Sequence, residues 1–285
     1  MRLAVALQYL LPHRALSRIV YWATRWTWRP WKDYLIRKII RNYNVNMDEA
    51  QQPQAAAYAS FNAFFTRELK PGARSAPTDP LSIACPADGR ISQIGLIRDG
   101  RIFQAKGFDF SAAELLGDDA AAAAYTNGHF ITVYLSPRDY HRVHAPLAGT
   151  LRETVHIPGR VFSVAPFTVA AVPRLFARNE RVICHFDGVD QKGNPYPFAL
   201  AMVGAMLVSG VETVWGGIEI PPYAGAIVRK DYRSREIALK RFAQLGRFNM
   251  GSTVILLLPS GAAEFHPGLA ANDLVRVGQT LGRLH

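Results

Sequence analysis

The chain has 285 residues, of which 49% are hydrophobic, with ordinary Gly and Pro content and a net charge of +11. Such a chain can fill one large domain, or one domain with an appendage, and is neither disordered nor fibrous. Cys85 and Cys184 lie far apart in no CxxC pattern, which argues against a disulfide framework and a zinc cluster, while the charge asks for an anionic partner.

The charge is concentrated at the start. Residues 1–50 hold nine Lys and Arg against three acids, together with four of the five tryptophans: Trp22, Trp26, Trp28 and Trp31. Leu3, Leu7, Leu10 and Leu11 repeat at helical spacing, as do Ile19, Trp22 and Trp26, and Pro12 and Pro30 divide the segment into short helices. No stretch reaches the roughly eighteen apolar residues of a spanning helix. Basic amphipathic helices carrying Trp and Leu read as interfacial membrane helices. Three other readings compete: a helical cap with a solvated basic face, a nucleic-acid surface, and a signal peptide. No recognition motif supports nucleic acid, and dense charge without a small-residue cleavage site opposes a signal peptide.

Residues 51–57 read as a linker, dividing a basic helical membrane-association segment, 1–57, from a domain spanning 58–285. Phe61, Phe64, Phe65 and Leu69 then predict a short amphipathic helix, ended by Lys70-Pro71-Gly72. Helical texture returns at Ser111–Leu116 and Ala120–Ala124. Strands are expected at 130–135, 182–186, 198–208, 226–229 and 253–258. The fold class is α+β, a β-rich core behind a helical N-terminus. Pro86–Ile91, Ala145–Leu151 and Val277–Leu281 are turns feeding strands, and they resemble those of lipoyl- or biotinyl-type sandwiches, a likeness of fold alone.

Tyr134–Pro146 is the densest polar stretch. Ser136 suits an N-cap, Pro137 a first helical position and Asp139 the third, so one helical turn is expected after the strand. Within it His141 and His144 would share a face and work as acid and base. Zinc is a weaker reading, since no further ligand pattern accompanies them. Asp88 and Ser252, like His144, stand at turns bordering strands. Each alone is most simply structural, but together they form a possible nucleophile, base and orienting group. Met250-Gly251-Ser252-Thr253-Val254 lacks the second glycine of a GxSxG elbow.

Gly251-Ser252-Thr253, Tyr134–Pro146, Pro86-Ala87-Asp88-Gly89 and Phe61–Gly72 together resemble the phosphatidylserine decarboxylase proenzymes of the bacterial, membrane-associated type. The likeness runs from about residue 60 to the C-terminus, and the basic N-terminus is similar in character. One departure is Met250, where the family usually has Leu. The pair is similar in volume and little effect is expected.

The resemblance implies that Ser252 attacks the Gly251 carbonyl and cuts the chain into 1–251 and 252–285, which remain associated. Ser252 becomes a covalent pyruvoyl group, and neither an external cofactor nor a metal is required. It implies His144 as the base for cleavage, oriented by Asp88, and His141 as the residue assisting proton return after decarboxylation. Gly251 would leave its carbonyl open and permit a strained backbone. The implied reaction turns phosphatidylserine into phosphatidylethanolamine and CO₂ on an anionic bilayer, at the cytoplasmic face of the bacterial inner membrane. The apolar loop 157–166 is expected to face lipid or headgroup. Three alternatives stay open: a serine hydrolase using Asp88, His144 and Ser252; a non-catalytic membrane-surface binding module; and a decarboxylase for a different serine phospholipid. A homo-oligomer is also left open.

Overall fold

The computed structural model describes residues 2–190, 193–206, 210–221 and 225–285. Three helices open the chain: Arg2–Leu10, His13–Arg25 and Arg29–Tyr43. Pro12 stands just before the second and Pro30 in the first turn of the third, where a missing N–H is tolerated. The third ends on Asn44 in a left-handed conformation, φ 51°, with its N–H bonded to Ile40.

The second helix is turned inside out. Its buried residues are His13, Ser17 and Thr24, while Ile19 and Trp22 face outward. His13 explains the arrangement: one ring nitrogen meets the Gln8 carbonyl at 2.7 Å and the other accepts the Val161 N–H at 3.1 Å. The apolar stripe read from the sequence is therefore real, but it is the polar stripe that docks.

The third helix packs conventionally. Ile36 joins Tyr58, Phe61, Phe64 and Phe65 in one cluster. Ser60 caps the helix Phe61–Phe65 through the Ala63 N–H at 3.1 Å. This helix is shorter than expected, because Thr66 ends it by turning its hydroxyl onto the Asn62 carbonyl. Leu69 instead bridges to Ala50. The expected linker holds a single turn of 3₁₀ helix, Ala55–Ala57. Among the described residues no helix is long and apolar enough to cross a membrane.

The rest is β-rich, so the fold is α+β. A nine-stranded sheet has at its centre Ser252–Leu258, antiparallel to His129–Leu135 on one side and Pro195–Gly204 on the other. Its alternate residues feed two cores: Val254, Leu256 and Leu258 enter one, Ile255 and Leu257 the other. A strand buried on both faces explains the unbroken apolar run. A four-stranded sheet is ordered Gly217–Ile220, Gly210–Thr213, Gln244–Asn249, Arg142–His144. Arg181–Val189 extends the expected 182–186 strand, whereas Pro195–Gly204 starts before the expected 198–208 strand and ends short of it, with Ala205 and Met206 outside the strand and residues 207 and 208 outside the described residues. The strand expected at 226–229 lies at Val228–Asp231. Ala112–Leu116 and Asp119–Ala123 are helical, as read. The three turn segments meet: Ala84 bonds Pro146, Cys85 exchanges bonds with Gln279 and Gly278, and the Val277 N–H reaches Asp88.

Candidate active site

Ser252 is the first residue of the central strand, held between Leu135 and Gly204. It is fully buried, and its hydroxyl has no hydrogen-bond partner among the described residues. The preceding strand, Gln244–Asn249, belongs to the other sheet, so Met250 and Gly251 alone cross from one sheet to the other. Met250 has φ 85°, a left-handed conformation that costs a side-chain-bearing residue about 1–2 kcal/mol. Its side chain packs against the cluster of Phe61 and Phe64. The positive φ thus falls on Met250, whereas Gly251 was expected to take the strain. What Gly251 offers is open space: a Cβ there would meet nothing within 4 Å.

The stretch after Leu135 does not form the expected helical turn. Asp139 accepts from the backbone N–H and the hydroxyl of Ser136, each at 2.7 Å, closing a tight turn. Arg142–His144 then pairs with the strand Gln244–Asn249. Without a helical turn, positions three apart lose their common face. The two histidines accordingly separate. His141 is fully buried, stacked on Phe65 at 4.0 Å between ring centres, with Nε2 3.1 Å from the Ser136 carbonyl. Burial and the Arg67 charge push its pKa down to about 3. His144 is part-buried; its Nδ1 donates to the Phe242 carbonyl at 2.7 Å, which leaves Nε2 to accept from the Tyr140 hydroxyl at 3.3 Å. Burial lowers its pKa as well. Both rings are neutral at pH 7, and a neutral imidazole can take a proton.

Asp88 does not bond His144. Both of its oxygens are held by Arg74, and one also accepts the Val277 N–H at 2.8 Å. A two-pronged guanidinium contact is stronger than a single imidazole bond, and Arg74 is shared with Glu49 at 2.9 Å. Asp88 is tied to His144 through the backbone, by the His144 N–H on the Pro86 carbonyl at 2.8 Å, and its charge acts to raise the His144 pKa. The Phe242 carbonyl orients the imidazole instead. Tyr134–Pro146 is the hub: it touches the Asp88 turn, pairs with the strand before the junction, and its Leu135 pairs with Ser252. The Phe248 N–H also bonds the His141 carbonyl.

Several residues carried no usable sequence signal. Arg74 lies in an unpatterned loop, and Phe242 contributes its carbonyl and a ring 5.2 Å from that of His144. Tyr140 and Asp139 lie within the polar stretch, where the sequence assigns Tyr140 no role and Asp139 only the third position of a helical turn. Asp139 is half-buried, and desolvation raises its pKa. Arg67 is buried with Nε and Nη1 unpartnered among the described residues, and it lines a cleft of about 300 Å³ together with Arg74, Asp88, Arg138, Asp139 and Tyr140.

The fold is a β-rich one that buries Ser252 at the head of its central strand, with His141 and Asp88 buried and His144 part-buried on the turns and strands that the Tyr134–Pro146 segment joins. The family model described as phosphatidylserine decarboxylase matches residues 61–283, and a second, described as PSD, matches residues 3–44. The chain is 58% identical over 284 residues to the phosphatidylserine decarboxylase proenzyme of Xanthomonas axonopodis pv. citri, covering 99% of each. It is likewise 58% identical to the proenzyme of that name from Stenotrophomonas maltophilia, covering 100% of each. The chain therefore belongs to the phosphatidylserine decarboxylase family and is an enzyme, a decarboxylase.

Proposed function

We propose that the chain cuts itself between Gly251 and Ser252 and then converts phosphatidylserine to phosphatidylethanolamine and CO₂ at a membrane surface. The observation that carries this reading is the buried Ser252 hydroxyl, unpartnered among the described residues, at a two-residue crossing between sheets, next to a Gly251 whose surroundings are open.

In the first step the Ser252 hydroxyl adds to the Gly251 carbonyl and its proton passes to His144 Nε2. The Gly251–Ser252 C–N bond breaks, the amine takes the proton, and an ester remains. Loss of the Ser252 α-proton then expels the Gly251 carboxylate, and water releases ammonia from the new N-terminus to leave a pyruvoyl group. The residues present fit that group, since a buried hydroxyl with no competing partner becomes a small ketone in the same place. A pyruvoyl group at residue 252 would supply a carbonyl for the substrate's amine and an electron sink as CO₂ leaves. We assign His141 to assisting the proton's return: with Nε2 donating to the Ser136 carbonyl, Nδ1, unpartnered among the described residues, is a lone pair that must first take up the proton it hands back. Asp88 and Arg74 fix the turn on which His144 hangs. Because Ser252–Leu258 is paired on both sides, fragments 1–251 and 252–285 stay associated after the cut.

We further read residues 1–57 as a peripheral membrane anchor on the cytoplasmic face of the inner membrane, and the three joined turns as a lipoyl/biotinyl-like sandwich. The inverted second helix supports the anchor: an apolar face turned outward, set among Arg14, Arg18 and Arg25, suits an anionic bilayer.

Intact mass under denaturing conditions tests the reading. Two chains divided after Gly251 are expected, the smaller one lighter by one ammonia than a free serine N-terminus would make it. Ser252→Ala and His144→Ala should stay whole, while His141→Ala should cut and fail to decarboxylate. A persistent full-length mass for the unaltered chain would overturn the proposal.

A further inference from the structure

We infer that Asn249, clamped by Glu212 and Asn62, is a positioning residue for chain cleavage; this rests on the self-cleavage reading above. Downstream of the scissile bond, Ser252 is fixed by its two strand partners. Upstream the last residue of the other sheet is Asn249, paired with Gly210 and fully buried. Its Nδ2 donates to Glu212 Oε1 at 2.8 Å, and its Oδ1 accepts from Asn62 Nδ2 at 3.0 Å. Glu212 is itself held in place, with its other oxygen taken by Arg247 Nε and Nη2 at 2.9 and 2.6 Å. A Cβ on Gly210 would stand 3.2 Å from Asn249 Nδ2, so the amide is closely enclosed.

The consequence is mechanical. Attack by a serine hydroxyl on the preceding carbonyl closes a small ring, so the peptide must be held in one unusual conformation. If the upstream end were free, Met250 would relax out of its left-handed conformation and the carbonyl would swing away. The Asn249 side chain prevents this from one side. Met250 packs from the other, into the cluster formed by the helix Phe61–Phe65, and that same helix supplies Asn62. Cleavage competence is thereby tied to docking of this helix. The clamp needs an amide at 249: one end must donate to a carboxylate and the other must accept from an amide.

Asn249→Asp keeps the shape and reverses the first requirement. The full chain, made by cell-free translation and sampled over time for fragments 1–251 and 252–285, should cut at least roughly tenfold more slowly in this variant. Glu212→Gln added to Asn249→Asp restores a donor and acceptor to that contact and should return the rate to within about threefold of the unaltered chain, a rescue that general destabilisation would not give. Should Asn249→Asp fail to fold, Asn62→Ala removes one bond from a good helix position and should slow the cut about threefold or more. Cutting at the unaltered rate in Asn249→Asp or Asn62→Ala, or a double variant no faster than the folded single one, overturns the clamp while leaving self-cleavage standing. An unaltered chain that never cuts removes both readings together.

Discussion

Two stretches near the N-terminus carry the same sequence signal and meet opposite fates. Ile19, Trp22 and Trp26 repeat at helical spacing, as do Phe61, Phe64 and Phe65. The first three are 64%, 73% and 55% exposed, the second three 3%, 0% and 1%. Periodicity says which residues share a face; it does not say which face is inward. The opposite stripe decides that. In the second helix His13, Ser17 and Thr24 find hydrogen-bonding or close-packed places inside, so the helix docks without using its apolar stripe. Around Phe61–Phe65 the third helix and Met250 close over the rings.

The largest effect should come from the buried member of the pair. Phe64→Ala should lower unfolding free energy by about 3–5 kcal/mol, whereas Trp22→Ala should stay within about 0.5 kcal/mol. Urea unfolding of both variants makes the measurement. Similar losses for the two would erase the distinction between a core helix and an outward-facing one.

Much of the architecture was legible because burial imposes a pattern. The central strand declares itself as an apolar run, and Ser111 with Glu114 forms a capping box where the sequence suggested a helix start. The candidate residues were legible by type, and the segment Tyr134–Pro146 does bring their strands and turns together. Their partners were not. Asp88 looked available for an imidazole until Arg74, fourteen residues earlier in an unpatterned loop, took both oxygens. The backbone carbonyl of Phe242 leaves no trace in side-chain chemistry. The helical turn failed because the capping residues at Ser136 and Asp139 also suit a tight turn, and pairing with Gln244–Asn249 favoured the strand.

His141 sharpens the comparison from the buried side, since it lies under Phe65. Its pKa is about 3 in the fold against 6.5 when unconstrained. Between those values the unfolded chain binds the proton and the folded chain does not, so stability falls as pH drops from 6.5 toward 3 and is unaffected by this group above 6.5. At pH 5 the loss should be on the order of 2 kcal/mol relative to pH 7. His185, pushed down to about 4 by burial, acts in the same direction. His141→Gln should flatten the slope of urea stability between pH 7 and 5. An unchanged slope would mean that the ring is not desolvated.

The outward-facing side should show itself only when a bilayer is present. Trp22→Ala with Trp26→Ala should weaken binding to vesicles containing anionic lipid by about tenfold, with melting unchanged. Binding equal to that of the unaltered chain would leave the exposed stripe without an occupant.

The smallest effect separates charge from apolar contact within that same face. Arg14 and Arg18 are exposed on the helix that carries Trp22. Each basic residue near an anionic leaflet contributes about 1 kcal/mol, so Arg18→Gln should weaken binding about fivefold at low salt. Near 1 M salt the screening length shrinks to about 3 Å, and this difference should vanish. The tryptophan effect should persist there, because burial of apolar area does not depend on counterions. If both effects faded together with salt, the helix would be held by charge alone, and the outward turn of its tryptophans would need another explanation.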